Sequence, residues 1–150
     1  MRVISCIFDT ISVEKKKELG KDATVNTDMK ILDIKPASFE MFNNNSLSVN
    51  FQFKINYKPD YANLLFEGKL IILMDENEDK FMESVLDNWK KKIVIEDFQI
   101  PLLQIIFSKC CVKALLLEEF VNLPTHIQTV PKISKDKENK FKDKEKNSKE

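Results

Sequence analysis

The sequence predicts an α+β domain in which an antiparallel sheet of about four strands comes first and helices follow. Three observations predict this order. Residues 47–57 alternate apolar and polar side chains, residues 62–73 repeat the alternation after a turn, and apolar residues at helical spacing fall in 75–121. Strands followed by helices are typical of folds in which the helices pack on one face of the sheet. We expect residues 1–133 to form this domain.

The clearest strand is LSVNFQFKINY, residues 47–57. Its odd-numbered residues are apolar or aromatic and its even-numbered residues are polar, so one face is buried and the other is wet. One-sided burial favours an antiparallel sheet. The turn KPDY leads into ANLLFEGKLIIL (62–73), where Gly68 indicates a bulge or a close backbone approach. We expect earlier strands at 2–8 and at 27–36, the second ending at Pro36.

Two helices are predicted after the strands. The stretch DENEDKFMESVLDNWKK (75–91) begins with acidic residues and ends with lysines, which matches the helix dipole. The stretch IEDFQIP is expected to separate the two helices, because Pro101 suits the first turn of a new helix. A second helix then runs from Leu102 to about Val121.

This second helix has more apolar surface than one core covers. One wide apolar arc of its helical wheel contains Leu103, Ile106, Phe107, Cys110, Ala114, Leu117 and Val121. A separate apolar arc contains Ile105, Val112, Leu116 and Phe120. A surface helix usually has a single apolar stripe. Either the helix is sandwiched inside one compact domain, or its second arc is an oligomer interface or a binding groove.

Residues 122–133, NLPTHIQTVPKI, follow the helix and are called the strap here. Two prolines exclude a helix and suit a central strand poorly. The strap is too apolar to remain exposed to water, because it contains four apolar residues: Leu123, Ile127, Val130 and Ile133. We therefore expect the strap to lie along the second apolar face of the helix or to line a groove beside it.

Charge and cysteine content narrow the class of protein. The formal net charge is zero and the only arginine is Arg2, so no basic footprint for nucleic acid is present. Residues 134–150 hold seven lysines against five acidic residues and are predicted to be a disordered charged tail. Three cysteines without framework spacing indicate free thiols in a reducing cytoplasm. Lys109 and Lys113 interrupt the longest apolar run, which argues against membrane insertion.

Catalytic machinery is not visible in the sequence, so we expect no enzyme and no cofactor. His126 is the only histidine, and with Gly20 and Gly68 as the only glycines there is no glycine-rich phosphate loop. A metal site built from Cys6, Cys110 and His126 is conceivable, but buried inert thiols are the favoured interpretation. The acidic run at 75–79 lacks the glycine and closing glutamate of an EF-hand loop.

The order of elements resembles the SecB-like chaperones. The resemblance rests on SFE (38–40), the alternating strand, a hairpin ending in FEGKLII, and the segment IPLLQIIFSKCCVKALLLEEFVNLP. Gly68, Leu70 and Ile72 fit the family's last strand, and Pro101 with the apolar residues after it fits the start of the family's helix. The resemblance implies a four-stranded antiparallel sheet, a homo-oligomer arranged as a dimer of dimers, and cytoplasmic binding of unfolded or exported polypeptides.

A holdase needs no ATP, because apolar surface that binds unfolded segments shifts folding equilibria by mass action. We therefore predict that an apolar groove built from the long helix and the strap binds unfolded polypeptide clients. Its candidate residues are Trp89, Leu103, Phe107, Phe120, Leu123 and Ile127. Two alternatives use the same surface: a dedicated protein–protein interaction module, and a carrier of apolar ligands without general chaperone activity.

Overall fold

The computed structural model describes residues 1–37 and 45–127. In chain order they form β1 (Arg2–Lys15), β2 (Thr24–Ala37), β3 (Ser46–Lys58), β4 (Ala62–Leu73), a 3-10 turn (Glu76–Glu78), α1 (Asp79–Lys90) and α2 (Glu96–Phe120). The strands form one antiparallel sheet in the order β1-β4-β3-β2. The predicted α+β class is confirmed. The stretch SFE, the end of the strap and the tail 134–150 lie outside the described residues.

The core lies between the sheet and α2, and β3 supplies its centre. All six odd-numbered residues from Leu47 to Tyr57 are at most 1% exposed, whereas the polar residues between Asn50 and Asn56 are half-buried on the other face. Strand β4 contributes Leu64, Phe66, Leu70 and Ile72 to the same face. The predicted register of β3 is therefore confirmed.

Strand β1 is longer than predicted because two bulges interrupt its alternation. The register with β4 skips Ile4 and Asp9, so Val3, Cys6 and Phe8 reach the core side at uneven spacing. An extra residue in one strand shifts every later side chain to the other face. The phase change at Asp9 hid residues 9–15 from a search for simple alternation, so the sequence left these residues without an assignment.

Strand β2 forms the opposite edge of the sheet and also extends beyond its prediction. It begins at Thr24 and includes Pro36, which pairs with Leu47 of β3. Proline is tolerated there because an edge strand leaves one row of backbone groups unpaired. A bulge at Leu32 turns that side chain outward, where it is exposed.

Gly68 marks a close backbone approach, as its position in the β4 pattern predicts. A Cβ atom at this residue would lie 2.2 Å from the carbonyl oxygen of Ile7, in the bulged part of β1. No side chain fits at that distance, so glycine lets the bulged edge strand stay close to β4.

Helix α2 begins six residues earlier than predicted and passes through Pro101. The expected break at IEDFQIP is wrong: Glu96 and Asp97 occupy the first turn, and Pro101 follows inside the helix. Acidic side chains favour a helix N-terminus, and only about one turn precedes the proline. The helix expected at 75–91 is present as the 3-10 turn followed by α1.

Candidate interaction surface

Helix α2 contacts the sheet through one row of side chains spaced four residues apart. The row consists of Phe98, Leu102, Ile106, Cys110, Ala114 and Glu118, and every member is 0% exposed. Residues four apart share a helix face. By length and composition α2 is also apolar enough to cross a membrane. A core helix meets the same condition, and this row is buried against the sheet, although only 28% of the most apolar window of α2 is buried.

The opposite side of α2 leaves three apolar side chains in solvent. Val112, Leu116 and Phe120 are 71%, 53% and 72% exposed, and their spacing of four residues aligns them along the last turns of the helix. We call these three residues the α2 ridge. Together with Ile105 they are the second apolar arc of the sequence, although Ile105 itself is half-buried against the core. No described part of the chain covers the α2 ridge.

The predicted client-binding residues on α2 do not share one side of the helix. Phe120 belongs to the α2 ridge, but Phe107 lies about 140° away around the helix axis, at 3.6 residues per turn. Phe107 is 39% exposed. Its ring packs edge-to-face against the buried Phe53 ring, with 6.3 Å between the ring centroids. Leu103 is half-buried against the core.

The described part of the strap, residues 122–127, folds back over the end of the sheet instead of along the α2 ridge. Leu123 is only 6% exposed and belongs to the core. The His126 ring lies 6.4 Å from the Phe53 ring, and the Pro124 carbonyl accepts a hydrogen bond from the Tyr57 hydroxyl. Ile127 is half-buried. The strap thus covers the joint between β3 and α2.

Trp89 belongs to a different part of the surface. It lies on α1, donates its indole N–H to Asp33 of β2 at 3.1 Å, and stacks under the Lys92 ammonium. It lines a cavity of about 460 Å³ with Ile34, Pro36, Glu83, Leu86, Asp87 and Lys90. None of the other five predicted client-binding residues lines this cavity, so the six candidates do not form one continuous groove.

Glu118 is the polar centre beneath the strap. The sequence places it on a polar edge of the helical wheel, but the carboxylate is 0% exposed. Its Oε1 accepts hydrogen bonds from the Tyr57 hydroxyl at 3.0 Å and from the backbone N–H of His126 at 3.3 Å. The His126 Nδ1 atom lies 2.7 Å from the same oxygen. Among the described residues, Oε2 has no partner. Burial and the nearby carboxylate raise the pKa of Tyr57.

Cys111 completes the cluster on the far side of the histidine ring. Its Sγ lies 3.3 Å from His126 Nε2. Burial and the charge of Glu118 raise the pKa of this thiol. Burial therefore favours the protonated thiol of Cys111, with one imidazole nitrogen within hydrogen-bond distance of its sulfur and the other ring nitrogen against the carboxylate. We call Cys111, His126 and Glu118 the strap cluster.

Sequence reasoning did not find the strap cluster, because it considered His126 only as part of a metal site with Cys6 and Cys110. Within residues 1–37 and 45–127, no group of three or more potential ligands is arranged to hold a metal ion. The signal that could have found the cluster is the spacing of Cys111 and Glu118. Seven residues are two helical turns, so both side chains share one face. The only histidine follows the helix closely enough to fold back onto that face.

Comparison of the chain with family models, with curated proteins and with solved structures finds no match. The SecB-like resemblance therefore stays a prediction, and the α2 ridge and the strap cluster rest on their own geometry.

Proposed function

We propose that this chain binds unfolded polypeptide through the α2 ridge and acts as an ATP-independent holdase. The observation that carries the proposal is the exposure of Val112, Leu116 and Phe120 in one row on the solvent side of α2. Contiguous exposed apolar side chains mark interaction sites more often than single exposed ones do.

The shape of the sheet supports an extended client. Strands β1 and β2 are the two edges of the described sheet, so each carries a row of backbone groups without a strand partner. Such edges accept extended segments by strand addition. Exposed apolar side chains follow both edges, with Ile4, Ile7 and Ile11 on β1 and Val25 and Leu32 on β2. Several weak contacts at separate places on the molecule add up to useful avidity for a long unfolded chain.

Suppression of aggregation tests the proposal. Two unrelated proteins are diluted from denaturant with increasing amounts of this chain, and light scattering is followed in the absence of nucleotide. A holdase suppresses scattering of both proteins at comparable ratios. A dedicated interaction module suppresses neither, and that result would contradict the proposal. Extraction of the purified chain followed by mass spectrometry tests for a bound lipid, which the apolar-ligand carrier requires.

A homo-oligomer is part of the same proposal, with the dimer of dimers implied by the SecB-like resemblance as the expected form. Self-association is one way to shield the exposed apolar residues that remain on α2 and on the sheet edges. Multi-angle light scattering at high protein concentration measures the state. A mass near the monomer value of 17.5 kDa would contradict self-association.

A further inference from the structure

The strap cluster has the arrangement of an activated nucleophile. A nucleophile, a base within hydrogen-bond reach and a third group that orients the base form the recurring pattern of such sites. Here Cys111 Sγ lies 3.3 Å from His126 Nε2, and His126 Nδ1 lies 2.7 Å from Glu118 Oε1. Because the carboxylate accepts at Nδ1, that nitrogen carries the ring proton and Nε2 is left free to accept one.

The neighbouring cysteines have no such environment. Cys110 is 0% exposed in the row that faces the sheet, and burial raises the pKa of its thiol to about 12. Cys6 lies on β1, and burial raises its pKa as it does that of Cys111, so the histidine contact and not the pKa separates Cys111 from the other two thiols. Among the described side chains, only Cys111 has an imidazole nitrogen within hydrogen-bond distance of its sulfur.

We propose that Cys111 is a site of oxidation by hydroperoxides, with His126 as the base and Glu118 as the positioning residue. This inference does not rest on the holdase function. The surroundings select a small, neutral reagent, because Cys111 is only 7% exposed and the buried carboxylate repels anions. Glu118 Oε2, which has no described partner, offers an acceptor for a hydroxyl of hydrogen peroxide.

The reaction balances with hydrogen peroxide as the only added reagent. The Cys111 sulfur attacks one peroxide oxygen, so a sulfur–oxygen bond forms while the oxygen–oxygen bond breaks. The thiol proton moves to His126 Nε2 and then to the departing hydroxide, which leaves as water. The sulfur is oxidised to a sulfenic acid and the peroxide is reduced. Because the resting group is a protonated thiol, removal of the proton by His126 is the step that the cluster supplies.

The test follows sulfenic acid formation at Cys111 in the full chain. The protein is treated with hydrogen peroxide in the presence of dimedone, and fragment-ion mass spectrometry separates labelling of Cys111 from that of Cys110. The variants are His126→Gln, Glu118→Gln and Leu123→Ala. Leu123→Ala is the matched control, since it removes a buried apolar contact of the strap but changes no side chain of the strap cluster.

The direction of the change in the oxidation rate distinguishes a catalytic role of His126 as a base from simple shielding of the thiol by the strap. If His126 is the base, His126→Gln lowers the rate at Cys111 about tenfold or more, and Leu123→Ala does not lower it. If the strap merely shields the thiol, both variants raise the rate, and that result overturns the proposal. Labelling of Cys110 as fast as Cys111 in the wild-type chain also overturns it.

The pH profile tests the positioning role of Glu118, which faces Tyr57 of β3 and His126, while Lys15 of β1 binds the nearby Val121 carbonyl. With a working base, the oxidation rate is already high at pH values below the raised pKa of the thiol. In Glu118→Gln the imidazole loses the acceptor that orients it, so the rate in that pH range falls, and Glu118→Asp restores it in part. A profile identical in wild type and Glu118→Gln overturns the role of Glu118.

Discussion

Glu118 joins three parts of the fold at one carboxylate oxygen: the α2 helix that carries it, the Tyr57 hydroxyl of β3 and the His126 end of the strap. A buried carboxylate is stabilised only when donors surround it. The donors are all on Oε1, while Oε2 has no described partner, so the loss of any one of them is costly.

Tyr57→Phe is therefore expected to lower the free energy of unfolding by about 1–3 kcal/mol, the usual cost of leaving a buried polar group unsatisfied. The single hydroxyl hydrogen is shared between Glu118 Oε1 and the Pro124 carbonyl. Chemical denaturation measures the change. Tyr61→Phe is the control, because its hydroxyl bonds to the exposed Asp22, and its effect should be smaller. Equal effects of the two substitutions would show that the Glu118 network contributes nothing special.

The buried Cys110 thiol is expected to make the fold less stable at alkaline pH. Burial raises the pKa of its thiol to about 12, whereas an unfolded thiol titrates near its ordinary value of about 8.5. The folded chain keeps the proton that the unfolded chain releases, so this contribution is complete below about pH 8.5 and is lost as the pH rises toward 12. We expect the melting temperature to fall across that range and to fall less steeply in Cys110→Ala. Parallel curves would contradict this.

At the scale of elements, α2 has one side in the core and one side in solvent. Ile106 is 0% exposed and Leu116 is 53% exposed, although both are aliphatic residues on the same helix. Ile106→Ala should cost about 2–5 kcal/mol of unfolding free energy. Leu116→Ala should change it by no more than about 0.5 kcal/mol. Denaturant titration of both variants measures the two changes in unfolding free energy. Similar changes would mean that the α2 ridge is covered.

The contact between β1 and β4 depends on Gly68. An alanine Cβ there would collide with the backbone oxygen of Ile7, and backbone gives way less easily than a side chain. Gly68→Ala is expected to cost about 1–3 kcal/mol or to move the bulge. Gly20→Ala is the matched control, because its Cβ would meet only side-chain atoms, the Tyr61 hydroxyl at 2.6 Å and an Asp22 oxygen at 2.8 Å. Thermal melts should show the larger loss at Gly68; a larger loss at Gly20 would contradict the account.

Sequence patterns predicted elements with a constant period and failed where the period changed. The alternation of β3 predicted the correct register, because β3 lies between two strands, β4 and β2, and its alternation is not interrupted. The bulge at Asp9 reversed the phase of β1, and Pro101 hid the first turn of α2 because only about one turn of helix precedes it. Glu118 lies on a polar edge of the helical wheel and is nevertheless buried, because a wheel records residue type alone. Its partners, Tyr57 and His126, come close only when the chain folds.

At the scale of the whole molecule, the tail 134–150 is predicted to add nothing to stability. Phe141 is its only apolar side chain, too little to offset the entropy of ordering seventeen residues. Deletion of the tail should leave the melting temperature unchanged within error in a thermal melt. A drop of several degrees would show that the tail docks on the domain.

The central claim is that the α2 ridge binds unfolded polypeptide, and a comparison of two double variants tests it most directly. Leu116→Ser with Phe120→Ser removes most of the ridge. Ile93→Ser with Ile100→Ser removes two apolar side chains of 52% and 48% exposure near the other end of α2. Both pairs should leave the melting temperature close to that of the wild type, since all four residues are exposed.

The measurement is suppression of client aggregation by each variant at equal concentration. We expect the variant with serine at 116 and 120 to lose suppression and the variant with serine at 93 and 100 to keep it. Retention of full suppression by the folded 116/120 variant would contradict the central claim.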